Sequence, residues 1–169
     1  MDEKQLVINA KNGDKDAFCT LYSQYKDRLY RYAYYRTGVP EDAEDAVMDC
    51  VLSAFRQIGN IRKPEAFSAW LFTVLRASCN AVIKRQAKSR NTVDLSEVSD
   101  TFIVADDCAE KTELRRALDS LKEDEKEIVL LSVISGFSSK EIAKITDLTA
   151  GAVRSKLSRS LSKMRELLR

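Results

Sequence analysis

The stretch from Phe137 to Arg169 constrains the fold most, because it fits two helices separated by a short polar break at residues 146–149. Ser138 precedes the first segment and Glu141 follows three residues later, which is capping-box spacing. Thr149 stands where the second helix would take its N-cap. A short helix, a tight turn and a longer helix form a helix-turn-helix, so this stretch points to DNA.

The second of these segments combines an apolar stripe with basic side chains. The stripe recurs at steps of three and four residues, as one face of a helix does: Val153, Leu157, Leu161, Met164 and Leu168. Between them lie basic residues and one acid, Glu166; the basic residues are Arg154, Lys156, Arg159, Lys163, Arg165 and Arg169. The pattern predicts an inward apolar face and a basic face that suits phosphates.

Charge is strongly segregated along the chain. The 169 residues carry a net charge of only +2, and the length suffices for one good core or two small ones. Residues 61–90 are basic with Glu65 as the lone acid, whereas residues 91–113 are acidic with Lys111 as the lone base. The local charge of these two segments therefore indicates binding partners better than the net charge of the whole chain does.

The chemistry-bearing residues point away from catalysis. Four cysteines are spread singly and the chain has no histidine, so we expect no metal site, no cofactor and no enzyme activity. We interpret the thiols as small buried or idle groups in a reducing compartment. The N-terminus lacks the apolar core of a signal peptide, and no apolar run approaches the ~20 residues of a membrane span, so we expect a cytoplasmic protein.

The N-terminal half reads as helices. One covers Glu3–Asn12, and a longer one runs from Asp14 or Asp16 to Thr37, where Gly38 stops it. The longer helix is rich in tyrosine beside Lys and Arg. Such rings can stack on single-stranded nucleic acid or lie in a core, and at helical spacing we favour the core for most of them.

The next helix begins at Pro40. Its expected apolar stripe is Val47, Val51, Leu52, Phe55 and Ile58, and its early turns carry Glu41, Asp42, Glu44, Asp45 and Asp49. Each acidic side chain near a helix N-terminus stabilises the helix by up to ~1 kcal/mol through the helix dipole. Five acids that repel one another are more than this stabilisation explains. They are either a solvated face or a docking surface for a basic partner.

A loop at Gly59–Pro64 leads into a basic helix that carries Trp70, which suits nucleic acid but equally suits a core. After the acidic stretch, Glu113–Leu121 and Asp124–Ile134 read as two further amphipathic helices. The sequence thus predicts an all-α protein of two small helical domains, 1–88 and 111–169, joined by an acidic flexible linker at 89–110.

Several of these stretches together resemble one family, the extracytoplasmic-function (ECF) group of sigma-70-type sigma factors. DAEDAVMDCVLSAF and AFSAWLFTVLR resemble its region 2, and the stretch from LRRALDSLKEDEKEIVLL to RSLSKMREL resembles its region 4. A helix-turn-helix alone is shared by many regulators, whereas this pair in this order is specific. The resemblance implies an alternative sigma factor, which brings core RNA polymerase to −35 and −10 promoter elements.

The resemblance also assigns partners. Asp42, Glu44, Asp45 and Asp49 match the acidic region 2 helix that docks on the clamp helices of the polymerase's largest subunit. The family resemblance also implies that the chain contacts the polymerase flap and promoter DNA. It implies no small-molecule substrate. Many family members are held by an anti-sigma factor, frequently a membrane-bound one, so such a partner is also implied.

For DNA, the resemblance places the −10 element on the loop and the basic helix: Asn60, Arg62, Lys63, Phe67, Trp70, Arg76, Lys84 and Arg85. Ala77 and Ala81 stand where the family often has Asn and Asp, so we expect the basic ridge to make the promoter contacts. Met48 stands where Gln is usual. The −35 element falls to the recognition helix: Arg154, Ser155, Lys156, Ser158 and Arg159.

A stand-alone helix-turn-helix regulator is the alternative hypothesis. Its N-terminal domain would sense a ligand or mediate dimerisation, and its sites would be two-fold symmetric. It leaves the acidic helix and the basic Trp helix unexplained.

Overall fold

The computed structural model describes residues 1–92 and 109–168, with side chains described for 1–89 and 113–168. Within these ranges the chain is helical and has no strand, and it forms two small helical units, which confirms the predicted fold class. The helices are α1 Glu3–Lys11, α2 Lys15–Thr37, α3 Pro40–Gln57, α4 Phe67–Thr92, α5 Ala109–Asp119, α6 Glu123–Val129, α7 Ser139–Thr146 and α8 Ala150–Leu167. Residues 93–108 of the expected linker lie outside the described residues.

The capping residues begin and end the N-terminal helices where the sequence predicts. The Asp14 side chain accepts a hydrogen bond from the Ala17 amide at 3.1 Å, which decides between Asp14 and Asp16 as the cap of α2. Gly38 ends α2 in the left-handed region at φ 78°, where a Cβ would be strained. Pro40 is the first residue of α3.

The inward face of α3 differs from the predicted stripe. Small side chains cover it, and they let α3 approach α2 and α4 closely: Ala43, Ala46, Val47, Cys50 and Ala54. Leu52 and Phe55 lie off this face and are 46% and 45% exposed, so the expected apolar stripe is not the buried face at these two positions. Phe55 makes an edge contact with the Phe18 ring at 5.2 Å between centroids.

The aromatic side chains of α2 serve the core, as expected. Tyr25 and Tyr32 are buried, and the remaining tyrosines of this helix pack partly against the same cluster. Burial, helped by the hydrogen bond that its hydroxyl donates to Glu3, raises the pKa of Tyr25 to about 12. Burial likewise raises the pKa of Tyr32, so both phenols stay neutral in the folded protein.

Helix α4 is the central element of the N-terminal unit. Its buried side chains are Phe67, Leu71, Phe72, Leu75, Cys79 and Val82, and it continues to Thr92, beyond the predicted boundary at residue 88. The stretch Pro64–Ser89 is long and apolar enough to cross a membrane by length and composition alone, which the sequence reading did not anticipate. That test is weak evidence, since the core helix of a soluble protein passes it equally.

The C-terminal unit departs from the predicted helices at three places, and the first is α5, which begins at Ala109, inside the predicted linker, and not at Glu113. α6 ends at Val129, and a π-helical turn at Leu130–Ile134 replaces the expected continuous helix, with the Ser135 amide bonded to the Leu130 carbonyl at 3.1 Å. On α8, Val153 and Met164 are buried, whereas Leu168 is 45% exposed because the helix ends at Leu167. Leu168 therefore does not extend the core stripe.

The two units pack against each other. The Phe72 ring of α4 meets the Phe137 ring edge to face at 4.9 Å between centroids. The Arg28 guanidinium of α2 lies 5.6 Å from the Phe137 centroid and donates to the Ser135 carbonyl at 2.5 Å. Helix α4 also contacts α7.

The buried thiols give a direct test of this core. Cys50 and Cys79 are fully buried, and burial raises the pKa of each to about 12, whereas Cys19 is exposed. Because the thiolate is the reactive form, iodoacetamide at pH 8 should label Cys50 and Cys79 roughly a hundredfold or more slowly than Cys19. Mass spectrometry of timed digests measures this, with guanidinium-unfolded protein as the control. Fast labelling of Cys79 in folded protein would contradict the packing.

Candidate nucleic-acid interface

The helix-turn-helix is built as its capping residues predict. Ser138 Oγ accepts from the Glu141 amide at 3.2 Å, and Glu141 Oε1 accepts from the Ser138 amide at 3.1 Å, which closes the capping box. Asp147 takes the left-handed conformation at φ 62° and turns the chain. Thr149 Oγ1 then caps α8 by accepting from the Ala152 amide at 3.1 Å. Helix α8 thus starts at a place fixed by its cap.

Four predicted reading residues lie together on α8. Arg154, Ser155, Ser158 and Arg159 are all exposed and line one shallow surface depression. The Arg159 Nε bonds the Ser155 carbonyl within the helix at 3.3 Å. Two guanidiniums and two hydroxyls on one open face can offer bidentate donors to guanine and hydrogen bonds to bases or phosphates.

Lys156, the fifth predicted residue of this set, points elsewhere. Its Nζ donates to Asp124 Oδ2 of α6 at 2.6 Å, and the side chain is partly buried. The Lys156 ammonium lowers the pKa of Asp124, chiefly through this hydrogen bond. In this arrangement Lys156 links α8 to α6 and lies apart from the other four residues predicted to read DNA.

The predicted −10 residues fall into three environments. Asn60, Arg62 and Lys63 are exposed on the loop between α3 and α4. Phe67 is only 2% exposed and packs on the Tyr25 ring at 5.6 Å, so it is a core residue and offers no ring to DNA. Trp70 is partly exposed, because it leaves that core and reaches the surface between α3 and α4.

Trp70 lines a groove between α3 and α4 of about 610 Å³. Ala77 and Ala81, the two departures from the family pattern, also line it, together with Arg56. The small side chains widen the groove on the α4 side. Its volume lies within the ~300–1,000 Å³ typical of sites that hold small organic groups.

The predicted basic ridge of α4 is split between opposite faces. Arg76 and Arg85 are nine residues apart, which is two and a half turns. Arg85 is exposed beside Trp70's groove and lies 3.8 Å from Asp49 Oδ2. Arg76 instead faces the C-terminal unit, where its Nε bonds the Glu127 carboxylate. Lys84 is exposed between these two directions.

The acidic residues of α3 share their face with apolar ones. Glu44, Asp45 and Asp49 are exposed, whereas Asp42 is half-buried and accepts a hydrogen bond from Gln86 at 2.5 Å. Beside the exposed acids lie Met48, 56% exposed, and the misassigned Leu52. Neighbouring exposed apolar side chains flanked by acid are typical of a protein-binding surface more than of a merely solvated face.

Sequence reasoning missed the three most buried charged residues that the structure describes, Arg36, Lys126 and Glu127. Arg36 and Glu127 are each 6% exposed and belong to different units. The one signal in the sequence that could have revealed their burial is that each charged residue stands where helical periodicity predicts an apolar one. Among the residues that the structure describes, no group of three or more His, Cys, Asp or Glu is arranged to hold a metal ion.

Family models match two parts of the chain: "Sigma-70 region 2" at residues 21–89 and "Sigma-70, region 4" at residues 111–164. The ECF RNA polymerase sigma factor SigM of Mycobacterium tuberculosis is 31% identical, over 98% of this chain and 84% of that protein. BldN of Streptomyces coelicolor, also an ECF RNA polymerase sigma factor, is 32% identical over 97% of this chain, which spans 65% of the length of BldN.

Two solved structures share the fold. CnrH, in complex with the cytosolic domain of CnrY, superimposes with a TM-score of 0.77 at 24% identity, over 98% of this chain and 96% of that one. RpoE of Bartonella quintana, in complex with the anti-sigma factor NepR, gives 0.73 at 23% identity, over 89% and 96%.

The Asp124–Lys156 pair gives a prediction about pH. Lys156→Met should raise the pKa of Asp124 towards its ordinary value of 3.8, because the ammonium that stabilises the carboxylate is gone. The pair therefore stabilises the fold above about pH 4 and this contribution is lost as the pH falls; at an exposed site it is below ~1 kcal/mol. Carboxyl ¹³C NMR titration measures the shift. Lys163→Met on the same helix should leave it unchanged, and an unchanged pKa in Lys156→Met would contradict the contact.

Proposed function

The chain belongs to the ECF sigma factors of the sigma-70 family, and we propose that it recruits bacterial core RNA polymerase to promoters with −35 and −10 elements. It would itself catalyse no reaction and would act in the cytoplasm, where the polymerase works. The observation that carries the proposal is the pairing of an open face of arginines and serines on α8 with a separate acidic and apolar face on α3.

We propose that α8 reads the −35 element in the major groove. Arg154 and Arg159 would contact base edges, each at ~1–3 kcal/mol of discrimination for a bidentate pair with guanine, and Ser155 and Ser158 would bond bases or phosphates. Lys156 would set the position of α8 through Asp124, or contact phosphate if that pair opens.

We propose that the loop and the Trp70 groove take the −10 element. Asn60, Arg62 and Lys63 are exposed at one end of α4, and Lys84 and Arg85 lie along it. Opening the duplex costs a few kcal/mol for each unstacked base, which contacts to a displaced base must offset. Trp70 offers a partly exposed ring for stacking, with Phe67 behind it as a rigid support at 6.0 Å between centroids.

We propose that the exposed face of α3 docks on the polymerase clamp helices. Asp45 and Asp49 would pair with basic residues there, and Met48 and Leu52 would add apolar burial that the charges alone do not supply. Glu44 and the half-buried Asp42 lie at the edge of the same face. The C-terminal unit would contact the polymerase flap.

An anti-sigma factor is a further proposed partner. Two proteins with this fold were solved bound to another protein, CnrH with the cytosolic domain of CnrY and RpoE with the anti-sigma factor NepR. CnrY takes part in its complex through a cytosolic domain, which fits a regulator anchored in a membrane. No small molecule is required for the proposed role.

Asp45→Arg tests the polymerase surface. We expect about tenfold weaker binding to core polymerase, equivalent to ~1.4 kcal/mol, because an attractive charge becomes repulsive. Biolayer interferometry with immobilised core measures it. Asp16→Arg, the same reversal at an exposed acid at the start of α2, is the matched control and should bind as wild type does. Should wild type ignore core and footprint a palindrome alone, the stand-alone regulator is the correct hypothesis.

Arg154→Ala tests the reading face. Holoenzyme with this variant should lose preference at one −35 base pair by ~1–3 kcal/mol, because one bidentate contact is removed. Transcription from a library randomised at the −35 element measures it. Arg165→Ala is the matched control, because it removes an exposed guanidinium six residues beyond Arg159 on the same helix. It should weaken transcription from all −35 sequences to a similar degree. Equal loss of selectivity in both variants would refute the division of roles.

A further inference from the structure

Glu127 of α6 is a buried carboxylate whose partners all belong to the other unit. Its Oε1 accepts the Arg76 Nε of α4 and lies 3.8 Å from Nη1 of Arg36 on α2. The Tyr32 hydroxyl lies 3.5 Å from the same oxygen. The Glu127 side chain is 7% exposed and that of Arg36 is 4% exposed, so water contributes little to either charge.

The cationic side of this contact is held in place independently. Arg36 Nη1 donates to the Tyr32 hydroxyl at 2.9 Å, and its Nη2 donates to Asn80 Oδ1 at 2.7 Å. Arg76 is 33% exposed, so it forms the outer wall of the contact. The N-terminal unit therefore presents a prepared anion site, which Glu127 fills, while the exposed Glu123 lies at its edge, 3.8 Å from Arg36 Nε.

Further contacts surround Glu127 and extend the closed interface. Arg115 of α5 donates to the Gly38 carbonyl at 2.6 Å, and a Cβ at Gly38 would approach this guanidinium to 2.8 Å. On the other side, Phe137 packs on Phe72 and Arg28 bonds the Ser135 carbonyl. The two units thus meet along a continuous surface with the buried carboxylate inside it.

The closed arrangement conflicts with simultaneous reading of two promoter elements. Elements named for positions −35 and −10 are centred roughly 85 Å apart at 3.4 Å per base pair. A compact protein of this length has a radius of gyration of about 15 Å and is therefore about 40 Å across. If the proposed function holds, the units must separate on the promoter.

We propose that Glu127 is a latch: it holds the free protein closed by occupying Arg36 and Arg76, and it releases Arg76 when the units separate on core polymerase. The inference rests on the proposed function for what opens the latch, but not for the closed state itself. In the closed form the carboxylate sits on Arg76 where a DNA phosphate would otherwise bind, so promoter contact and latching exclude each other.

Distance measurements on the free protein test the latch. Spin labels at Asp16→Cys and Ser162→Cys, in a Cys19→Ser, Cys108→Ser background, report the separation of the units by double electron–electron resonance. Wild type should give one short distance. Glu127→Gln keeps the shape but removes the charge, and it should move at least half of the population to longer distances. Glu166→Gln, the same change at an exposed carboxylate on α8, is the matched control and should remain closed.

A second variant keeps the test decisive if Glu127→Gln fails to fold. Arg115→Met removes the bond to the Gly38 carbonyl at a half-exposed position, and it should also raise the long-distance fraction. A broad or long distribution in free wild type, or distributions in both variants that match Glu166→Gln, would overturn the latch.

The same distance measurements in the presence of core polymerase form the second part of the test. Core polymerase should shift wild type to the long distance, and Glu127→Gln should bind core several-fold more tightly because less of it is closed. Core that binds wild type without lengthening the distance overturns the release step. If core does not bind at all, the proposed function fails, while the measurements on free protein still decide whether Glu127 holds the closed state.

Discussion

The Glu127 carboxylate places the strictest physical demand on this molecule, because a buried charge must find partners. Both guanidiniums that satisfy it belong to the other unit, so the position of α6 on α2 and α4 is set by charge geometry. Removing one member of such a group typically costs ~3–5 kcal/mol, whereas replacing the whole group by apolar residues is often neutral. The network therefore contributes orientation more than stability. Apolar contacts such as Phe72 on Phe137 supply the adhesion.

Local signals in the sequence predicted most of the architecture, because capping and turn chemistry acts within a few residues. The Ser138–Glu141 box, the Thr149 cap and Gly38 each sit where their side chain or missing Cβ predicts. The family resemblance rests on such stretches and is confirmed by the matches to both sigma regions. The predicted linker stays a prediction over residues 93–108, which lie outside the described residues.

What the sequence could not predict was which side of a helix meets which neighbour. On α3, Leu52 and Phe55 looked like core by hydrophobicity, yet alanines and Cys50 form the packed face because small side chains allow a closer approach. Phe67 looked like a DNA-facing ring and is buried, whereas Arg76 looked like part of one ridge and faces Glu127. These outcomes depend on contacts between residues far apart in the chain, which periodicity does not encode.

The composition of the interface determines how it can open. Separation exposes Phe72 and Phe137, now 0% and 6% exposed, at about 25 cal/mol for each Å² of apolar surface, and it leaves the prepared anion site on Arg36 unfilled. A ligand shifts such an equilibrium only by its differential affinity for the two states. A DNA phosphate can replace the carboxylate on Arg76, but it cannot cover the apolar surface of Phe72 and Phe137. DNA alone is therefore a poor opener, and a partner that also covers apolar surface, as a protein does, is the physically favoured one.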